Sequence, residues 1–209
     1  MVVPTIVPAL ESHSSHVSQR VGLAAGRRLA AREGHEIRVE HGVAALFMNR
    51  RRRRPVFIAL VGPRTVSLSA AGGATLLLAL TDVDLLFSTA AADGTDVVDM
   101  PGFLSGQLIM RLVEVLELSA ALRVLRRLTE LHGLLGADGG LTVRQHDLAA
   151  IAQTSRATVN AVLRQEERKG TLCLGRGQIT IHDLDRIRRR AGVESDVISR
   201  PLPLASGRL

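Results

Sequence analysis

The chain has no Trp and no Tyr, and its four Phe make aromatics 2% of 209 residues. A core must therefore be aliphatic, built from Leu, Val, Ile and Ala. So few rings also argue against a surface that stacks the bases of single-stranded nucleic acid. Cys173 is the only cysteine. One thiol excludes an intrachain disulfide and any cysteine-built zinc or iron–sulfur site within one chain. Lys169 is the only lysine, so the positive charge is almost wholly guanidinium, the group that makes bidentate contacts to phosphate and guanine. Long apolar runs are missing too. The longest, Ala74–Leu80, is too short to span a bilayer and is followed by Asp82 and Asp84. The opening MVVPTIVPAL has two prolines and no basic n-region, which makes a poor signal peptide. These absences imply a cytoplasmic protein with no membrane partner. No Ser/His/Asp constellation, phosphate loop or metal cluster is present, so the expectation is a protein that is not an enzyme and has no cofactor and no metal.

What is present is globular composition, with 46% hydrophobic and 22% charged residues. The length suits one large domain or two small ones. Net charge is +7, and it is unevenly placed. From 142 to 192, ten basic residues (Arg144, Arg156, Arg164, Arg168, Lys169, Arg176, Arg186, Arg188, Arg189, Arg190) stand against five acidic ones (Asp147, Glu166, Glu167, Asp183, Asp185), a net of +5. A basic domain of this size is an electrostatic footprint for DNA.

Residues 1–20 are aperiodic and hold Pro, Ser and His; they read as a flexible arm, with His13 and His16 solvated rather than metal-bound. From Val21 to Ser88 the pattern is β. Runs at 36–40, 43–48, 56–61, 66–68, 74–80 and 83–87 are separated by Gly26, Gly34, Gly42, Gly62-Pro63 and Gly72-Gly73. Many short strands suggest a small barrel or jelly roll. Asp82 and Asp84 read as outward strand positions. Five consecutive arginines, Arg50–Arg54, fall between two strands, where mutual repulsion favours a solvated hairpin tip; the alternative is a contact with DNA phosphates or an acidic protein surface. Residues 90–99 read as a linker.

Gly102–Leu118 is helical, with Leu104, Leu108, Leu112, Val115 and Leu116 at three-to-four spacing. A helix this apolar is hard to hide against one small barrel, so those five residues are the expected homodimer interface. A second helix spans Ser119–His132, Ser119 capping it, with Leu122, Leu125, Leu128 and Leu131 inward and Arg123, Arg126 and Arg127 outward. Gly133, Gly136, Gly139 and Gly140 then break the chain.

The segment 142–177 carries the function. Thr142-x-x-Gln145 is a capping-box pattern that predicts the start of a helix whose inner face is Leu148, Ala149 and Ile151. Gln153-Thr154-Ser155 reads as a turn, with Ser155 capping a helix over Arg156–Lys169. Val159, Val162 and Leu163 form its buried side, and Arg156, Asn160 and Arg164 lie on one polar stripe. Gly170 ends it. Thr171–Leu174 and Gln178–Ile181 alternate as strands around Gly175-Arg176-Gly177. Asp183 then caps a basic helix, Leu184–Arg190. Two helices, a turn and a β-hairpin make a winged helix-turn-helix, which places one helix in a DNA major groove.

This stretch resembles the DNA-binding domain of the Crp/Fnr (cyclic-AMP receptor protein-like) family of bacterial transcription factors. The matching residues are Leu148-Ala149, Thr154-Ser155-Arg156-x-Thr158-Val159, Leu163, Lys169-Gly170 and Gly175-Arg176-Gly177-x-Ile179-Thr180. Upstream, LAAGRRLAAREGH with Gly26 and Gly34, then Gly42 and Gly62-Pro63, resembles the family's β-roll. The resemblance implies an α+β architecture. It comprises a flexible arm at 1–20, a degenerate cyclic-nucleotide-binding-like β-roll at 21–96 and a dimerisation helix with its following helix at 97–135. A winged helix-turn-helix at 136–192 and a flexible tail at 193–209 complete it. The implied partners are double-stranded DNA, a second copy of the chain, and RNA polymerase at Leu135–Gly140, where the family often contacts it. The implied DNA-binding residues are Thr154, Ser155, Arg156, Ala157, Thr158, Asn160, Ala161, Arg164, Arg144 and Arg176.

Two departures shape the functional expectation. Cyclic-nucleotide members carry a Gly-Glu and a following Arg-Ser or Arg-Thr that cradle a phosphate, whereas here no Glu occurs from Arg50 to Met100. Control by cyclic AMP is therefore not expected. Family members also often have Glu after the recognition-helix Arg and a second Arg later, where this chain has Ala157, Asn160 and Ala161, so its operator should differ. The leading reading is a homodimeric, sequence-specific regulator on an inverted-repeat operator. The alternatives are a sensor using the roll for an unrecognised effector, or a DNA-architectural protein of low specificity.

Overall fold

The computed structural model describes residues 5–6, 18–31, 35–48, 54–63, 68–69, 75–89, 100–135 and 140–193. Strands β1 (Thr5–Ile6), β2 (Gln19–Leu23), β3 (Arg28–Ala31), β4 (His35–His41), β5 (Ala44–Met48), β6 (Val56–Val61), β7 (Leu68–Ser69), β8 (Thr75–Ala79) and β9 (Val83–Thr89) come first. They form two sheets, ordered β1-β3-β8-β5-β6 and β2-β9-β4-β7. Two pieces of the expected arm belong to this roll: Thr5–Ile6 pairs in parallel with Leu29–Ala30, and β2 begins at Gln19. The histidines at 13 and 16, the arginines at 50–53, the diglycine at 72–73, the linker at 90–99, residues 136–139 and the tail from 194 lie outside the described residues.

The turns follow from local chemistry. Gly26 and Gly42 both have φ near +80°, the left-handed region that costs glycine least. Asp82 caps the first turn by accepting from Ala25 N–H at 2.9 Å, and Thr81 Oγ1 accepts from Val43 N–H at 2.9 Å. Asp82 and Asp84 are exposed, as their alternation with apolar neighbours indicated.

One sheet is apolar on both faces, which explains why 43–48 and 74–80 read as nearly unbroken apolar runs. Ala44, Leu46, Ile58, Leu77 and Ala79 point between the two sheets, with Leu29, Val39, Leu85 and Phe87. Their neighbours Ala45, Phe47, Phe57, Leu76 and Leu78 point the other way, onto the helices. Successive strand residues face opposite sides, so a strand covered on both faces loses its polar alternation.

Helices α1 (Met100–Glu117), α2 (Ala120–Leu135), α3 (Gln145–Ile151) and α4 (Arg156–Arg168) follow, then β10 (Leu172–Leu174), β11 (Ile179–Ile181) and α5 (Leu184–Arg190). Ser119 caps α2 through Leu122 N–H at 3.3 Å. Gly133 does not break α2, which continues to Leu135; a single glycine in a helix costs only about 1 kcal/mol. Val124, Leu125, Leu128 and Leu131 are fully buried against α3, α4, α5 and the sheet.

The three arginines expected on the outer face of α2 are not there. Arg127 is 1% exposed, and Arg123 and Arg126 are half-buried. Val124, Arg127, Leu128 and Leu131 fall at i, i+3, i+4 and i+7, so Arg127 sits on the inward stripe. Its guanidinium pairs with Glu114 of α1 and with Glu130, and lies 5.1 Å from the centre of the Phe57 ring. Burial works against its charge and lowers its pKa from the ordinary value, an effect the two carboxylates oppose. Arg111 of α1 completes the cluster. It bonds Glu114 at 2.9 Å and Ile58 O at 3.0 Å, and lies 5.0 Å from the Phe57 ring centre. One ionic cluster thus ties α1 and α2 to β6.

On its other side α1 leaves apolar side chains in solvent. Leu112, Val115 and Leu116 of the expected interface are exposed, Leu116 by 77%, and Leu108 is half-buried. Leu104 lies within the same helix. Ile109, Met110 and Val113 are exposed as well and widen the face beyond the five residues read from spacing.

Candidate nucleic-acid interface

α4 is presented by three devices. The first is its cap: Ser155 is extended (φ −88°, ψ 153°) and its Oγ accepts from Thr158 N–H at 3.0 Å, satisfying one of the free donors at the helix start. The second is its apolar back, with Val159, Val162 and Leu163 buried against α2 and α3. The third is at its far end. Glu166 is 0% exposed, accepts from Thr171 Oγ1 at 3.1 Å and pairs with Arg190 of α5. Gly170 follows at φ +70°, which ends the helix and turns the chain into β10.

α3 starts later than its capping-box pattern predicts. Its first residue is Gln145, its N-cap is Arg144, and no side chain caps it. Leu141 instead exchanges two backbone hydrogen bonds with Ile179, at 2.7 and 2.9 Å. That pairing holds the segment before α3 extended along the wing, so Thr142 is not available as a cap. The turn between α3 and α4 holds Gln153 at φ +50°, a conformation uncommon for a residue with a Cβ. Arg123 of α2 stabilises it by donating to Ala152 O at 3.1 Å and Gln153 O at 3.3 Å, while also reaching Leu118 O at 2.6 Å.

The wing is fixed to α4 by Glu167, which accepts from Leu174 N–H at 3.1 Å and from Arg164 at 2.8 Å. The Arg164 bond, then the backbone donor, hold this carboxyl below its ordinary pKa. Arg176 stands exposed at the hairpin tip, before Gly177 at φ +75°. Asp183 caps α5 through Arg186 N–H at 2.9 Å.

The result is a solvent-facing helix with Arg156, Ala157, Asn160, Ala161 and Arg164 outward and Thr154 and Thr158 half-exposed at its leading end. Residues 122–190 match the Crp-like helix-turn-helix domain family. The chain superposes on FixK2 from Bradyrhizobium japonicum (TM-score 0.64, 18% identity, 83% of this chain and 96% of that one). It matches the CRP/FNR-family regulator TTHA1359 from Thermus thermophilus equally well (TM-score 0.64, 22% identity, 83% and 98%). The chain has the fold of the Crp/Fnr family of transcriptional regulators. A third such structure, the CRP-family regulator TTHB099 from the same organism, gives TM-score 0.62 at 18% identity over 82% and 96% of the two chains. No curated protein sequence matches the chain.

Within this Crp/Fnr fold, the expected DNA-facing residues fall into two groups. Thr154 to Arg164 and Arg176 lie on α4, its leading turn and the wing. Arg144 is exposed but engaged: it donates to Ala25 O of the roll at 2.6 Å, and its guanidinium fills the space where a Cβ on Gly26 would sit. Sequence reading missed Arg123, Glu167 and Glu166, which position the helix without facing solvent as a group. It also missed Asp147. This carboxyl in the first turn of α3 is buried, with neither oxygen hydrogen-bonded among the described residues. Burial pushes its pKa up, against the opposing charges of His146, whose Nδ1 lies 3.0 Å away, and of Arg144 and Arg28. No group of three or more His, Cys, Asp or Glu among the described residues could hold a metal ion, and no helix there is long and apolar enough to cross a membrane.

Proposed function

We propose that this chain is a sequence-specific DNA-binding transcriptional regulator that acts as a homodimer on an inverted-repeat operator and is not controlled by cyclic AMP. The observation that carries this reading is the presentation of α4. Its cap, apolar back and C-terminal lock are buried or bonded, while Arg156, Ala157, Asn160, Ala161 and Arg164 are left to solvent. Arg156 near the start of such a helix reads guanine O6 and N7, and Asn160 one turn on reads adenine N6 and N7.

The dimer is supported by α1, whose exposed Ile109, Met110, Leu112, Val113, Val115 and Leu116 form an apolar face that a twin helix would cover. Two such protomers would set their α4 helices about 34 Å apart, one turn of DNA. Independence from cyclic AMP rests on the missing Glu between Arg50 and Met100. RNA polymerase would meet the segment after α2, as the resemblance implies.

Selection of bound duplexes from a random pool tests the reading directly. The expected product is an inverted repeat with half-site centres one helical turn apart. Recovery of unrelated sequences with equal affinity would instead make the protein an architectural one. Sedimentation of Leu116→Glu should give a monomer with weakened operator binding; an unchanged dimer would remove α1 as the interface.

A further inference from the structure

Two concavities meet at the leading end of α4. One, about 430 Å³, opens toward the wing between Arg144, His146, Arg156 and Gln178. The other, about 730 Å³, opens toward the β-roll, and there Arg28 of β3 and Arg54 just before β6 face Thr154, Ser155 and Arg156 across the cleft. Among the described residues, neither is lined by an acidic one. Among the described residues, Arg28, Arg54 and Arg156 make no salt bridge and no side-chain hydrogen bond, whereas Arg111, Arg123, Arg126, Arg127, Arg144 and Arg190 all do. The buried Asp147 feels the charge of Arg28 without forming an ion pair with it, and it does not line the cleft. Arg54 and Arg156 are exposed. Guanidinium groups without hydrogen-bond partners, converging on one cleft, are matched by an anion from outside.

We propose that the β-roll is part of the DNA interface: Arg28 and Arg54, the latter closing the run of five arginines, contact the phosphate backbone flanking each half-site. The proposal rests on the groove-reading role of α4. When the leading end of α4 enters a major groove, the phosphate strands bordering that groove run on either side of Arg156. The wing-side hollow receives one of them, and the roll-side cleft borders the other. A polyanionic strand matches a track that crosses both domains better than a small anion does, because the cations are spread along the track rather than gathered on one point. These contacts would add affinity and register without reading sequence.

The test compares wild type, Arg54→Ala, Arg28→Ala/Arg54→Ala, Arg54→Lys and Arg156→Ala on a selected operator. Two duplex lengths are used, one carrying about ten flanking base pairs on each side, roughly one helical turn, and one trimmed to the half-sites. Circular dichroism establishes that each variant is folded. Each lost phosphate contact lowers the salt slope by about 0.9, so the double variant, acting in both protomers, should lower it by up to about 3.6, roughly 150-fold less salt sensitivity between about 50 and 200 mM. Arg54→Ala should weaken the long duplex about tenfold whatever its sequence and leave the trimmed duplex unchanged, and Arg54→Lys should restore most of the loss. An unchanged slope on the long duplex, with Arg156→Ala still impaired, would overturn the roll contact and leave the groove-reading role intact; a role of Arg54 toward an acidic protein surface would give that result. Equal weakening of both duplexes would also overturn it. Undiminished binding by Arg156→Ala would instead remove the groove-reading role on which the proposal stands.

Discussion

The arginines of α2 and those around α4 are alike in sequence and opposite in the fold. Arg123, Arg126 and Arg127 are drawn inward: Arg123 holds the turn before α4, Arg126 donates to Ala191 O at 3.1 Å, and Arg127 sits in a pocket of carboxylates and a Phe ring. Arg156 and Arg176 are exposed and make no salt bridge or side-chain hydrogen bond among the described residues. The difference is not in the residue but in what the neighbouring helix offers. α1 brings Glu114 to the inner face of α2, and a buried guanidinium is tolerated only with such a partner. Among the described residues, nothing acidic lines the cleft beside Arg156. Within 142–192 the same holds for Arg144, bonded to Ala25 O, and Arg190, paired with Glu166, so a count of positive charge there overstates the DNA surface and misses its proposed extension onto the roll.

The sharpest way to break this contrast is to remove a partner of the inward set. Glu114→Ala removes the carboxylate that Arg111, Arg126 and Arg127 share, leaves the buried Arg127 with Glu130 alone, and should destabilise the fold by about 3 kcal/mol, measured by urea unfolding. A loss under about 1 kcal/mol, the scale of an exposed pair, would show that Arg127 reaches water. The outward set predicts the reverse. Arg156→Ala should leave unfolding unchanged and cost about 1–3 kcal/mol of binding at a single base pair, read by titrating operators altered at each position; an equal loss at every position would make Arg156 a phosphate contact.

Smaller effects refine the picture between the two. Ser155→Ala removes the cap of α4 and should cost about 1 kcal/mol of stability, with Ser155→Asp restoring it. Asp147 supplies the finest test. Its carboxyl pKa is raised by burial, so the folded state binds the proton more tightly than the unfolded one. That favourable contribution is complete below the unfolded carboxyl pKa and is lost as pH rises through the folded value. Asp147→Asn should therefore unfold at a higher temperature than wild type at neutral pH, and the gap should close on acidification. A constant gap across pH would mean that the Asp147 charge is not what costs stability.

Much of the site was legible in sequence because it is local. Ser155 sits three residues before Thr158, Gly170 follows the last helical turn, and Asp183 precedes Arg186 by three; each motif needs only its own few residues to form. The exposed apolar face of α1 was legible for the same reason, as a period along one helix. Thr142 shows the limit. Its capping pattern is intact, but Leu141 pairs with the distant Ile179 of the wing, and the strand geometry overrides the local preference.

The sequence by itself determined the order of elements, the recognition helix with its cap and stop, the apolar helix and the basic character of the C-terminal half. All of these depend on hydrogen bonds and periodicities spanning a few residues. Only the tertiary structure decided which arginines face inward, where α3 begins, and that Arg28 and Arg54 of the roll share a cleft with Arg156. Those outcomes depend on what distant segments bring to the same place, and a charged side chain takes its role from its nearest opposite charge or the lack of one.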